Sequence, residues 1–122
     1  MSYSERDILV VDDERGVLDW VSTVLARAGY SVLKAVNASQ ALELLAAVEG
    51  RVRLLLTDFQ MPDMKGVDLC LLVGMRYPGI EVLYMSGFSG MPLPCGSVLL
   101  QKPFTAQQLL GEVARALRPP AD

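Results

Sequence analysis

The chain has 122 residues, 52% of them hydrophobic and 20% charged, with a formal net charge of −3. That length fits one domain over residues 1–122 and excludes a second catalytic or DNA-binding module of ordinary size, so any output passes through a partner. The acidic balance excludes a phosphate-backbone binder, which needs a clustered basic face, and the apolar content excludes a disordered chain.

Ile8-Leu9-Val10-Val11 is a continuous apolar run that stops at Asp12-Asp13, the pattern of a parallel strand buried on both faces. Val17, Leu18, Val21, Val24, Leu25 and Ala28 then recur at helical spacing, with Gly29 where a left-handed cap is needed. Ser31 to Val36 reads as a second strand. Asn37 with Gln40 forms a capping pair ahead of a second helix through Ala41, Leu42, Leu45 and Ala46. Leu54-Leu55-Leu56-Thr57 predicts a third buried strand ending at Asp58, followed by a helix whose buried stripe is expected at Val67, Leu71 and Met75. Pro78-Gly79 breaks the chain before a fourth strand, Ile80 to Met85, that ends at Ser86. Ser97 to Gln101 is a fifth strand ending at Lys102.

Thr105 and Gln108 form a capping box, with Phe104 and Leu109 at staple positions, before a last helix presenting Leu109, Leu110, Val113 and Leu117. Residues 118–122 read as a tail or linker stub. Strands alternating with helices predict an α/β fold, a parallel sheet covered on both faces. The fourth crossover differs, because residues 87–96 include Gly87, Gly90, Pro92, Pro94 and Gly96. That composition predicts a loop or a single turn in place of a full helix.

Cys70 and Cys95 stand outside any C-x-x-C spacing and suit a reducing cytosol as packing residues. The N-terminus lacks the apolar stretch of a signal peptide, and no run is long enough to span a bilayer, so a cytoplasmic domain without membrane insertion is expected. The methionines and Trp20 read as packing residues.

Four of the five strands end in Asp12-Asp13, Asp58, Ser86 and Lys102. In an open parallel sheet these ends converge on one crevice where strand order reverses. Three carboxylates brought together repel and raise at least one pKa unless a cation compensates, and oxygen-only ligands suit Mg²⁺. Lys102 adds a mobile positive charge and Ser86 a hydroxyl. Taken singly, each has a plainer role: Asp12 as a helix cap, Asp58 and Ser86 as turn residues, Lys102 as a solvated side chain.

Together, Asp12-Asp13, Asp58-Phe59-Gln60-Met61-Pro62-Asp63-Met64-Lys65-Gly66, Met85-Ser86-Gly87 and Lys102-Pro103-Phe104 resemble the marks of response-regulator receiver domains, in the right order and on the right elements. The resemblance covers essentially the whole chain. It implies a flavodoxin-like, doubly wound five-stranded sheet of order 2-1-3-4-5, here with the fourth helix shortened or absent. It implies Asp58 as phosphoacceptor from the phosphohistidine of a histidine kinase or histidine phosphotransfer domain. Asp13 and Asp58 would ligate Mg²⁺ directly, Asp12 through water and Gln60 through its backbone carbonyl. Ser86 and Lys102 would bind phosphoryl oxygens, and Gln60 and Phe88 would tune hydrolysis.

The chain departs from the usual receiver at Leu99, where many members carry an aromatic residue that turns inward as the hydroxyl residue, here Ser86, moves. The shortened crossover also removes an output and dimerisation face, so output through another surface is expected. Phe88, Met91 and Leu93 would then cover the sheet or form a partner patch, and homodimerisation stays open. The short loop and the segment Leu99 to Phe104 look most like receivers at the C-terminal end of hybrid sensor kinases. Two other readings compete. An Asp-nucleophile phosphatase needs a second Asp where Gln60 stands, and a phosphorylation-independent scaffold or dimerisation module leaves the acidic set unexplained. The chain contains no His, so it cannot itself be the phosphohistidine donor.

Overall fold

The computed structural model describes residues 6–87 and 98–117. In chain order the elements are β1 (Arg6–Val11), α1 (Arg15–Arg27), β2 (Val32–Ala35), α2 (Ala38–Ala47), β3 (Val52–Asp58), α3 (Gly66–Arg76), β4 (Glu81–Ser86), β5 (Val98–Gln101) and α4 (Ala106–Leu117). The strands form one sheet of order β2-β1-β3-β4-β5, all parallel, as the receiver resemblance implied.

The unbroken apolar runs of the central strands have a direct structural cause. Side chains alternate across a strand, so a strand covered on both faces needs apolar residues at every position. Ile8 and Val10 join Leu54 and Leu56 in a core completed by Leu18, Val21 and Leu25 of α1 and by Leu109 and Val113 of α4. Leu9, Val11 and Leu55 point the other way, into a core built with Ala38, Ala41 and Leu45 of α2 and Leu69 and Val73 of α3. The sheet is thus doubly wound, and strand order reverses between β1 and β3.

Local signals end the elements as expected. Gly29 follows α1 at φ 103°, a conformation that costs a residue with a Cβ far more. Asn37 Oδ1 accepts the Gln40 N–H at 2.7 Å, while Gln40 Oε1 reaches back to the Val36 N–H at 2.8 Å. The Thr105–Gln108 box is reciprocal, at 2.8 and 3.0 Å.

The expected stripe on α3 is corrected. Leu69 and Val73 are buried, whereas Leu71 is 59% and Met75 82% exposed. Apolar residues occupy most positions of this helix, so periodicity alone did not select a face. The rotation follows from Gly66, which is buried under the β3 end. A Cβ there would lie 2.4 Å from the Asp58 carbonyl oxygen, so Gly66 faces the sheet and Leu69 and Val73, three and seven residues on, follow it. Ala46, expected on the apolar side of α2, is exposed, and Ala38 is buried instead.

Among the described residues no helix lies between β4 and β5. Of the expected loop at residues 87–96 only Gly87 is described; Phe88, Met91, Leu93 and Cys95 lie outside the described residues, as do Ser97 of the expected fifth strand and the tail at 118–122. No helix among the described residues is long and apolar enough to cross a membrane.

Truncation of Leu55, fully buried in the central β3, is expected to cost about 2–5 kcal/mol as Leu55→Ala. Leu71→Ala on the exposed side of α3 should stay within about 0.5 kcal/mol of the parent. Urea denaturation of both variants checks the burial of β3 and, through Leu71, the corrected rotation of α3.

Candidate functional site

The sheet ladders run one residue past the strands and so aim the polar residues. Asp12 N–H donates to the Ala35 carbonyl at 3.1 Å, Phe59 N–H to Met85 at 2.8 Å, and Lys102 N–H to Ser86 at 2.7 Å. Each strand end is therefore fixed against its neighbour at the carboxyl edge. The Lys102-Pro103 peptide is cis.

Four of the residues expected at the site meet there. Asp12, Asp13 and Asp58 each bring a carboxylate oxygen to within 4.8 Å of the others. Asp12 is fully buried and uses both oxygens: Oδ1 accepts the Glu14 N–H at 2.9 Å and Oδ2 accepts from Lys102 Nζ at 2.9 Å. Asp12 thus serves the entry to α1 and also holds the lysine, so its cap-like role and its site role coexist. Lys102 Nζ lies 3.6 Å from Asp58 Oδ1, beyond hydrogen-bond range but close enough for strong attraction. Asp13 is exposed to solvent.

Burial pushes the Asp58 carboxyl up to about 6. The Lys102 charge opposes that rise, the Asp12 charge adds to it, the Phe59 N–H lowers it, and the Asp13 charge raises it. Burial would lower the Lys102 ammonium, but its hydrogen bond to Asp12 and the charges of Asp58, Asp12 and Glu14 outweigh burial and raise it. One ammonium among three carboxylates leaves negative charge in excess. An oxygen-only set with one exposed member fits a hard divalent cation that keeps several waters.

The other expected residues lie on the neighbouring strand ends and loop. Ser86 is 2% exposed at the end of β4, opposite Gln101 in the ladder. Gln60 opens the loop after Asp58 and bridges to Lys65 in antiparallel fashion. Leu99 is half-buried and stands beside Tyr84 in the β4–β5 register. Tyr84, buried, meets the Phe59 ring edge-on at 5.6 Å.

The sequence assigns no role to three contributors, although Asp63 and Gly66 stand in the receiver-like motif. Gly66 closes the 59–65 loop by donating to the Phe59 carbonyl at 2.7 Å. Thr57, fully buried, donates its hydroxyl to the Asp58 carbonyl at 3.0 Å. Asp63 spans to α2. Trp20 is 42% exposed and its ring lies 5.9 Å from that of Phe104. With Gly16, Val17, Lys102 and Pro103, these two residues line a cleft of about 290 Å³.

Asp58 has a raised pKa in the folded chain, so its contribution to stability is full below the unfolded value near 4 and is lost as pH rises through about 6. With metal ions chelated, Asp58→Asn is therefore expected to raise stability by about 1–3 kcal/mol at pH 8. The gain should vanish near pH 3.5. Thermal melts at the two pH values check the sign.

Comparison with known proteins adds the family. Residues 8–114 match the response regulator receiver domain family. The chain is 30% identical over 118 residues to the response regulator receiver protein CpdR of Brucella abortus, covering 92% of this chain and 97% of that protein. It is 29% identical to the sensor kinase CckA of the same organism over 90% of this chain but only 12% of that protein. A solved structure of the receiver domain from the hybrid histidine kinase CckA superposes with a TM-score of 0.80 at 31% identity, covering 92% of this chain and 99% of that one. A match that runs from β1 into α4, over a sheet of this order with its carboxylates gathered at one edge, makes the chain a member of the response regulator receiver domain family.

Proposed function

We propose that this domain accepts a phosphoryl group onto Asp58 from a phosphohistidine of a histidine kinase or histidine phosphotransfer domain, in a reaction that requires Mg²⁺. The observation that carries the reading is the convergence of Asp12, Asp13 and Asp58 on one point with Lys102 beside them. Asp13, Asp58 and the Gln60 carbonyl would hold the ion directly and Asp12 through water. When bound, Mg²⁺ supplies charge neutralisation for the phosphoryl oxygens.

The chain's own groups do the rest. An ionised Asp58 oxygen forms the new bond to phosphorus as the bond from phosphorus to the histidine nitrogen breaks, and the imidazole leaves with the electron pair. A loose transition state asks the protein mainly for alignment and charge, which Lys102 supplies as a mobile ammonium and Ser86 as a hydroxyl donor. The resulting acyl phosphate is open to water, so the same site returns Asp58 and inorganic phosphate. The chemistry is self-modification from an external phosphoryl donor followed by self-reversal with water.

Relatives that contain this domain inside longer proteins support a kinase-linked partner, as does the likeness to the hybrid kinase receiver. One observation favours a second reading, a scaffold that works without phosphorylation: Leu99 stands where receivers often place the aromatic switch residue.

Incubation with acetyl phosphate and Mg²⁺, read by intact mass, separates the two. The expected outcome is a gain of one phosphoryl mass that is absent in Asp58→Asn and absent with EDTA. Lys102→Ala should slow labelling by about 10²-fold or more. No gain in the parent chain, with fluoroberyllate also failing to bind, overturns the phosphoacceptor reading and favours the scaffold.

A further inference from the structure

The N–H groups of the first turn of α2 have no acceptor within the helix. Asn37 takes one of them, the Gln40 N–H, at 2.7 Å. The Ala38 and Ser39 N–H groups instead donate to the two carboxylate oxygens of Asp63, at 3.1 and 3.0 Å, and the Ser39 hydroxyl adds a third bond at 3.0 Å. Asp63 does not belong to α2. It lies in the segment 59–65 that leads from Asp58 to α3, 24 residues from Ser39 in sequence.

That segment is closed at its neck by the Gly66–Phe59 backbone bond and the Gln60–Lys65 bridge. Met61 and Met64 rest against the core on the α2 and α3 side. The outer turn is tied to the start of α2 by the Asp63 carboxylate, whose negative charge also suits a helix N-terminus. Its acid is held below the usual carboxylate range, by the Ser39 N–H first and also by the Ala38 N–H and the Ser39 hydroxyl, against a smaller opposing effect of burial. The tie is therefore anionic at neutral pH.

We infer that Asp63 is a positioning residue for the phosphoryl-transfer site, tying the segment that carries the Gln60 carbonyl to the N-terminus of α2 and so fixing that carbonyl relative to Asp58. The inference rests on the reading of Gln60 as a Mg²⁺ ligand. A backbone carbonyl can be aimed only by placing its peptide, and Mg²⁺ tolerates little departure from its preferred geometry. Neighbours that orient ligands matter to affinity for that reason. Asn37 serves as a built-in comparison, because it caps the same helix end through the Gln40 N–H and not through the 59–65 segment.

The test measures Mg²⁺ affinity by calorimetry and the Mg²⁺ dependence of acetyl phosphate labelling, with thermal melts, for the parent chain, Asp63→Ala, Asp63→Asn and Asn37→Ala. Asp63→Ala is expected to weaken Mg²⁺ binding about three- to tenfold, somewhat less than loss of a direct outer partner of a ligand. Labelling should half-saturate at correspondingly higher Mg²⁺ with an unchanged maximal rate. Asp63→Asn, which keeps one acceptor oxygen, should fall between, and it carries the comparison if the alanine variant does not fold. Asn37→Ala should lose stability yet keep the parent's Mg²⁺ affinity. Parent-like affinity in both Asp63 variants, or equal weakening in Asn37→Ala, overturns the inference. A parent chain that neither binds Mg²⁺ nor labels defeats the site reading itself, and with it the inference.

Discussion

Three carboxylates share the carboxyl edge of this sheet with a single ammonium, and that imbalance governs the rest of the site. Asp12 is fully buried and remains tolerable there because both of its oxygens are bonded, one to the Glu14 N–H and one to Lys102. With Lys102 committed to Asp12 at 2.9 Å, Asp58 receives only its weaker attraction at 3.6 Å. Burial then dominates and lifts the Asp58 carboxyl to about 6. A group in that condition is one that added positive charge relieves, and a lysine that a new anion can draw away from Asp12 is a ready partner for it.

The fold exists to hold those charges together against their repulsion. Its apolar strands are buried on both faces, α1 and α4 on one side and α2 and α3 on the other, so the positions of the strand ends are not negotiable. The ladder bonds through Asp12, Phe59 and Lys102 carry that rigidity one residue further, to the groups themselves. Gly66 contributes by absence of a side chain. It lets α3 start directly against the Asp58 carbonyl and in doing so fixes which side of α3 meets the sheet.

The buried strands, the caps at Asn37, Thr105 and Gly29, and the convergence of Asp12, Asp13, Asp58 and Lys102 were all legible in the sequence. Each follows from chemistry within a few residues or from a rule about where strand ends meet. The face of α3 was not legible, because its apolar residues fill more than one helical row and a steric contact with the preceding strand made the choice. Nor was the role of Asp63. Its partners Ala38 and Ser39 lie more than twenty residues away, and an Asp after Pro62 reads locally as a turn residue. Contacts of this kind depend on tertiary placement, and no local pattern announces them.

The most direct test of the account is a crystal structure of the chain with Mg²⁺ and fluoroberyllate. The ion is expected on Asp13, Asp58 and the Gln60 carbonyl at about 2.0–2.1 Å, with the fluoroberyllate on Asp58 contacted by Lys102 and Ser86. An ion held elsewhere, or a fluoroberyllate-treated crystal in which Asp58 is unmodified and Lys102 still bonds Asp12, would contradict it.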